Sequence, residues 1–471
     1  MKSPWAVLCF GLIVVSLAIA QPIPVQFNLD QDGSAPFRTQ LMAAAPAQEI
    51  GDNRSFWALD FHTMEHYIVD AHLLAIGDHC YIYFDELAIS IIGEMEANAR
   101  AETYRDEFDS TIYSRVTDLA GDPDGTLGDV DGDPRVYILV VEHYQSYYRQ
   151  SNEVEGEYSN MCEMVYICYR TNNPVNTIAH EFHHLVWFNY EFDEVHFLLE
   201  GAAEYATYYS GYLPTNNWTV RVQDFLEDID DSFIYFEVEA QDYGACYLFA
   251  FYLAEQYGVQ LLRDIVQHAG DGAAGLETAL DAAGYSISFN ELYLDWMTAL
   301  VIDEEGIAGS RYGLHNIDAT IQDYTTIDSL PFRVDNMPLY CYGSKVYQSN
   351  SPPDIFTVEM SQPADGVAAL SIAYRDASGL HVQQIQNQGR AILTVSGDSI
   401  VTAHIVASYL FSEPPTGDID FGSGAQETVQ VLVYEGEEGS STTIPMPLMV
   451  AGGASLVAVC SLLVLFLKRR E

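Results

Sequence analysis

One short segment constrains the fold more than any other part of this chain. It reads N-T-I-A-H-E-F-H-H-L-V-W-F from Asn176 to Phe188 and contains the pattern H-E-x-x-H. On an α-helix His180 and His184 are one turn apart, so both imidazoles project from one face and can bind one metal ion. Glu181 then lies beside the position of a metal-bound water. The pattern therefore predicts a metal-binding helix that needs a further ligand from another element.

A second predicted helix follows and carries L-E-G-A-A-E-Y from Leu199 to Tyr205. An acid near the start of such a helix can supply the third ligand. Together the two segments resemble the gluzincin branch of zinc metallopeptidases, whose second motif has the form E-G-x-A-x-Y. The resemblance implies three zinc ligands, His180, His184 and Glu200.

The same resemblance implies the remaining roles. Glu181 would be the general base that takes a proton from zinc-activated water during hydrolysis of a peptide bond. Glu204, one turn after Glu200, would orient a histidine ligand. Tyr243 would stabilise the oxyanion, although it is also one tyrosine among 32. The substrate expected from the resemblance is a peptide or protein cut by endopeptidic cleavage.

Other segments extend the resemblance to about residues 50–310. An Asp-rich stretch before a strand, the run Ser159–Met164 and the run Phe289–Trp296 look like those of hyicolysin-like and immune-inhibitor-A-like secreted peptidases. The metzincin pattern is excluded, because Trp187 and Tyr190 stand where that pattern needs glycine and histidine.

Two further histidines compete for roles at this centre. His183 lies about 100° around the helix from the ligand face, which indicates a packing or surface residue. His196 precedes the second helix and is an alternative to Glu200 as third ligand, although no motif surrounds it.

A second metal is suggested by alternating carboxylates. Asp129, Asp131 and Asp133 have the spacing of a calcium loop. Pro134 and the missing glutamate at the twelfth position depart from the EF-hand pattern. The segment is therefore either a Ca²⁺ site or an acidic turn.

The patterns predict an α+β fold. Residues 49–310 are expected to form a zincin-like catalytic domain with a mixed-sheet lobe and a helical lobe, and residues 328–434 a β-sandwich. Short apolar runs predict strands at Cys80–Phe84, Arg135–Val141 and Met164–Tyr169. Helical periodicity covers 88–111, 175–188, 197–209, 244–269 and 289–302.

The two ends indicate an exported, anchored protein. Residues 1–20 combine Lys2, an apolar run and the ending Ala18-Ile19-Ala20, which is typical of a signal peptide. Residues 21–48 are a leader or pro-segment. After a polar linker at 435–447, the uncharged stretch 448–467 is about 30 Å long as a helix and can span a bilayer; a buried core helix is the alternative. The basic tail at 468–471 predicts a single-pass cell-membrane protein with its ectodomain outside.

Charge and cysteine content limit the remaining classes. The formal net charge is −49, which excludes a nucleic-acid binder that works through a basic surface. Five cysteines lie between the two ends without a C-x-x-C pair, so a cysteine zinc site is not expected, although one or two disulfides could form. Two alternatives to a peptidase remain. One is an inactive zincin-scaffold surface or adhesion protein, and the other is a structural protein whose zinc joins two helices.

Overall fold

The computed structural model confirms an α+β fold. It describes residues 48–123, 129–143, 145–191, 194–213, 220–268, 270–304, 309, 311–321, 323–417 and 426–439. The expected signal peptide, nearly all of the leader, the end of the linker, the C-terminal span and the tail lie outside these residues. Among the helices that are described, none has the length and apolar character needed to cross a membrane.

A six-stranded mixed sheet forms the N-terminal half. Its strands are β1 (Asn53–Asp60), β2 (Glu65–Ile76), β3 (Cys80–Asp85), β4 (Val136–Val141), β5 (Tyr147–Tyr148) and β6 (Met164–Cys168), in the order β1-β2-β3-β4-β6-β5. The central strands β3, β4 and β6 run parallel, and the other pairs are antiparallel. Every residue of these three strands is buried, as expected for apolar runs that are covered on both faces. The three strands predicted here are confirmed.

The helix predicted at 88–111 is interrupted. The chain forms α1 (Glu86–Ile92), α2 (Glu94–Glu107), a π-helical turn (Phe108–Ile112) and α3 (Tyr113–Ala120). Gly93 separates the first two helices at φ +88°, in the left-handed region that favours glycine. The prediction of one continuous helix was therefore wrong at this glycine.

Seven helices follow in the described residues. They are α4 (Pro174–Phe188), α5 (His196–Tyr209), α6 (Val220–Glu227), α7 (Ala240–Tyr257), α8 (Val259–Val266), α9 (Gly272–Ala282) and α10 (Phe289–Ile302). The helix predicted at 244–269 is two helices, because Gly258 at φ +95° ends α7. Helix α7 also begins earlier than predicted, at a capping box formed by Glu239 and Asp242.

Two further sheets form the C-terminal part. Their strands are β7 (Thr325–Thr326), β8 (Phe332–Tyr340), β9 (Ser344–Ser349), β10 (Ile355–Met360), β11 (Val367–Asp376), β12 (Gly379–Asn387), β13 (Ala391–Ser396), β14 (Thr402–Leu410) and β15 (Gln426–Glu435). One sheet has the order β13-β10-β15-β8 and the other β12-β11-β14-β9-β7.

Helix α10 joins these sheets to the helical part through buried polar contacts. The hydroxyls of Thr298 and Ser371 are 2.7 Å apart, and Tyr293 donates a hydrogen bond of 2.8 Å to the carbonyl of Tyr342. Trp296 is fully buried and lies 5.2 Å, centroid to centroid, from Phe249 of α7. The C-terminal sheets thus support the helices around the candidate site directly.

Candidate metal centre

Helix α4 places both histidines of the H-E-x-x-H segment below the surface. Pro174 occupies the first turn, where its missing N–H costs nothing. Ile178, Phe182 and Leu185 are buried in the main core. His180 and His184 are 2% and 1% exposed. Their ring centroids are 4.7 Å apart, so the predicted shared face is formed.

Helix α5 brings Glu200 to the same face at 0% exposure. The next residue, Gly201, explains how closely this helix approaches α7. A Cβ atom at Gly201 would lie 2.5 Å from the backbone oxygen of Cys246, which is closer than real contacts allow. Glycine is required at this position so that α5 can pack against α7 with Glu200 directed at α4.

Three side-chain atoms converge at this point. Nε2 of His180 and Nε2 of His184 are 3.0 Å apart, and Oε2 of Glu200 lies 3.2 Å from the former and 3.6 Å from the latter. Ligand atoms about 2.0–2.1 Å from a tetrahedral zinc ion stand about 3.3 Å from one another. The three observed separations bracket that value, so the geometry fits one shared metal ion.

The donor chemistry fits the same conclusion. Oε1 of Glu200 and Nδ1 of both histidines are buried without a hydrogen-bond partner in the described residues. Burial raises the pKa of Glu200, but the charges and hydrogen bonds of the two histidines outweigh it and hold that pKa well below its usual range. Burial lowers the pKa of His184 against the opposing effect of Glu200, whereas at His180 burial is outweighed by the hydrogen bond and charge of Glu200, which raise the pKa. An ionised carboxylate and a neutral imidazole are the forms that bind metal.

Glu181 adjoins the convergence point on α4 and is 1% exposed. Its Oε1 has no hydrogen-bond partner in the described residues, and the backbone of Tyr148 in β5 acts to lower its pKa. Burial raises the pKa of Glu181 to about 8, while the charge of His180 opposes that rise. A buried carboxylate with raised proton affinity is suited to accept a proton.

Glu204 lies beside His180, and an arginine that the sequence did not predict lies between Glu204 and Tyr243. Oε1 of Glu204 is 3.7 Å from Nδ1 of His180 and also forms an ion pair with Arg221. The guanidinium of Arg221 lies 4.5 Å from the ring centroid of Tyr243. Burial, followed by the charge of Glu200, raises the pKa of Tyr243 well above its ordinary value. Arg221 was missed because it begins a short helix that has no motif.

The two competing histidines take other places. His183 is fully buried, and its ring contacts Trp187 at 5.7 Å between centroids. His196 stacks on Phe236 at 5.4 Å. Among the described residues, Glu200 completes the group around His180 and His184, and neither of these histidines belongs to it.

The acidic turn is assembled differently from the sequence prediction. Asp129 and Asp131 come together with Glu163 rather than with Asp133. Asp133 instead accepts a hydrogen bond of 2.6 Å from Tyr81 and forms an ion pair of 3.1 Å with Arg135.

The five cysteines of the described residues are all free and buried, so none of the disulfides considered from the sequence forms here.

A surface groove of about 700 Å³ lies near the start of α4. Its lining includes Arg100, Tyr169, Arg170 and Val175 but none of the triad residues. Arg100 and Arg170 already pair with acids, Glu96 and Glu142 respectively. The triad is therefore separate from this open groove.

Comparison with known proteins does not assign a family. No family model matches the chain, and no curated protein matches it. Solved structures give weak likenesses. One is CorA, a surface-associated copper-binding protein of Methylomicrobium album BG8 (10% identity, 24% of this chain and 98% of that chain, TM-score 0.18). Another is a family GH115 4-O-methyl-α-glucuronidase (7% identity, 59% and 46%, TM-score 0.15). A third is the capsular polysaccharide assembling protein CapF of Staphylococcus aureus (9% identity, 37% and 57%, TM-score 0.11). Likenesses this weak do not establish a shared fold.

Proposed function

We propose that this chain is a zinc metallopeptidase of the gluzincin type, anchored in the cell membrane with its catalytic part outside. The observation that carries the proposal is the convergence of His180, His184 and Glu200 within 3.0–3.6 Å. In this proposal the mixed sheet and helices form a zincin-like domain, and the two C-terminal sheets form a β-sandwich next to it. The anchor rests on the sequence of residues 448–467 alone.

A bound zinc ion would supply Lewis acidity and lower the pKa of water at the site. His180, His184 and Glu200 would hold it, and their burial would keep bulk water away. Glu181 would accept a proton at Oε1, the oxygen that has no hydrogen-bond partner, and pass it to the leaving amine.

Strand β5 supports a peptide as the substrate. It stands at the end of the six-stranded sheet in the described residues and packs against α4, the helix that carries Glu181. An extended peptide can pair with the edge of a sheet through main-chain hydrogen bonds. A peptide that paired along β5 would pass close to the proposed base.

Burial favours a second candidate, a structural zinc centre in a catalytically inactive surface or adhesion protein. The three ligands and Glu181 are each 2% exposed or less, whereas a peptidase must admit a polypeptide to its base. A closed site that joins α4 to α5 would stabilise the fold without catalysis. The peptidase proposal therefore requires that the site opens to substrate.

Cleavage of an unfolded protein separates the two candidates. The full-length chain, purified in detergent and loaded with zinc, is compared with Glu181→Gln at equal zinc content. The peptidase proposal expects cleavage by the wild type and a loss of at least about a hundredfold in the variant. If both bind zinc, neither cleaves, and zinc removal lowers the melting temperature, the structural candidate is correct.

A further inference from the structure

A second group of carboxylates lies at the opposite end of the central strands. Asp129 and Asp131 precede β4, and Glu163 immediately precedes β6. Because β4 and β6 are parallel neighbours, their first residues meet at one edge of the sheet. Helix α4, which carries His180 and His184, follows the other end of β6. One carboxylate oxygen from each of the three acids lies within 4.8 Å of the others.

The turn before β4 presents its two aspartates in a fixed arrangement. Oδ1 of Asp129 accepts a hydrogen bond of 2.5 Å from the backbone of Gly132, which has φ +80°. Asp131 accepts a backbone hydrogen bond from Asp133 at 2.9 Å and one from the Tyr137 hydroxyl at 3.0 Å. Each bonded oxygen keeps a lone pair, so the turn can still bind a cation.

Glu163 provides the independent observation, because it is buried with one oxygen that has no partner among the described residues. Its side chain is 4% exposed. Oε1 accepts a hydrogen bond of 2.6 Å from the backbone of Val130, whereas the buried Oε2 has no partner. A buried carboxylate is costly unless it is paired or binds a metal.

The surroundings of Glu163 increase the free-energy cost of ionising its carboxyl group. Burial first, and then the charges of Glu153 and Asp131, raise its pKa to about 9 against the opposing effect of backbone hydrogen bonds. Glu153 is itself 1% exposed and accepts a hydrogen bond of 2.8 Å from Tyr148. Arg135, the cation of the same turn, pairs with Asp133 instead.

We propose that Asp129, Asp131 and Glu163 bind a Ca²⁺ ion that ties the turn before β4 to the start of β6. All three donors are oxygens, so the set lacks the nitrogen and sulfur ligands that zinc prefers. Ca²⁺ accepts irregular sets of six to eight oxygens, and backbone carbonyls and water complete such sets. Mg²⁺ demands near-octahedral geometry and keeps most of its water, so it fits this turn less well. The proposal does not depend on the zinc centre.

This site differs from the one suggested by the spacing of the aspartates alone. The third carboxylate comes from Glu163, more than thirty positions away in the sequence, and not from Asp133. The ion would neutralise a cluster that otherwise repels itself. Its loss would loosen the start of β4 and the loop that leads to β6.

Calcium binding by the full-length, zinc-loaded protein tests the proposal. Isothermal titration with CaCl₂ is combined with melting curves. All samples contain physiological salt, so that counterion binding to the acidic surface stays equal. The wild type is expected to bind one Ca²⁺ saturably and to melt several degrees higher with it. Glu163→Gln should lose at least about tenfold in affinity and most of that shift.

Two comparisons keep the test decisive. Asp133→Asn changes the same turn without removing one of the three carboxylates and should bind Ca²⁺ like the wild type. Without calcium, Glu163→Gln should melt no lower than the wild type, because the amide keeps the Val130 hydrogen bond and cannot ionise beside Asp131 and Glu153. The proposal is overturned if the wild type shows no saturable site, if Glu163→Gln binds equally well, or if Mg²⁺ binds as tightly as Ca²⁺.

Discussion

Oε1 of Glu204, which follows Glu200 by one helical turn on α5, lies 3.7 Å from Nδ1 of His180 on α4. Arg221 of α6 forms an ion pair with the same carboxylate oxygen. Carboxylates behind metal-binding imidazoles fix the orientation and basicity of the ring. In the proposed zinc site Glu204 would therefore orient His180, and Arg221 would hold Glu204 in place.

Weakening the ion pair of Glu204 and Arg221 should lower the affinity for zinc without unfolding the protein. We expect Glu204→Gln and Arg221→Gln each to lower the affinity for zinc about 10- to 100-fold. Competition with a chromophoric chelator measures the affinity. Arg105→Gln, which removes only a surface pair with Asp106, is the matched control and should bind zinc normally. Unchanged affinity in both site variants would show that Glu204 has no role in orienting His180.

Gly201 should be intolerant of any side chain. The Cβ of Gly201→Ala would meet the backbone oxygen of Cys246 at 2.5 Å, so α5 and α7 would have to move apart. We expect a loss of about 1–3 kcal/mol in the free energy of unfolding, measured by denaturant titration, and weaker zinc binding through Glu200. Gly156→Ala is the control, because its Cβ would have nothing within 4 Å. Equal stability of the two variants would contradict the proposed close packing.

The stability of the fold should fall as the pH rises through about 7. Burial raises the pKa of Asp242 to about 7, although backbone hydrogen bonds from Glu239 and Glu237 oppose the rise. Because the folded state binds this proton more tightly than the unfolded chain, the contribution is complete below the ordinary pKa of 3.8 and is lost as pH rises through 7. The magnitude is on the order of a few kcal/mol.

Asp242→Asn tests this sign, because the amide oxygen can still accept both backbone hydrogen bonds. Denaturant titrations between pH 5 and pH 8, at saturating zinc, should give a flatter dependence for the variant than for the wild type. A wild type that is more stable at pH 8 than at pH 5, with the same slope in the variant, would show that Asp242 is not protonated in the fold.

Tyr243 should matter for turnover and not for metal binding. If its hydroxyl stabilises the developing oxyanion, Tyr243→Phe should lower kcat by about 10²–10³ with little change in zinc content. Tyr247→Phe, one turn later on the same helix, should keep the wild-type rate. Equal rates for Tyr243→Phe and the wild type would leave Tyr243 as a packing residue beside Phe236.

The sequence predicted the elements that depend on local pattern. The strand Cys80–Phe84 and the helix 289–302 follow from runs of apolar residues and helical periodicity, and both are found within one residue of the prediction. The breaks at Gly93 and Gly258 could not be predicted in the same way. A glycine inside a helical pattern costs only about 1 kcal/mol, so tertiary packing decides whether the chain bends there.

The residues of the candidate site likewise divide into those that a local pattern predicts and those that only tertiary packing brings into place. The spacing of His180 and His184 is local to one helix, and the resemblance of the following segment pointed to Glu200. Arg221 and Glu163 reach their places only through the packing of α6 against α7 and the pairing of β4 with β6. Such partners have no fixed spacing from the residues they join, so no pattern in the sequence could select them.

X-ray absorption at the zinc edge tests the central proposal most directly. The zinc-loaded wild type should show two imidazole nitrogens and two oxygens about 2.0–2.1 Å from the metal. A peptide hydroxamate should change that shell, because a catalytic site keeps one position for exchangeable ligands. A sulfur ligand, a third histidine, or a shell unaffected by the hydroxamate at saturating concentration would contradict a catalytic zinc held by His180, His184 and Glu200.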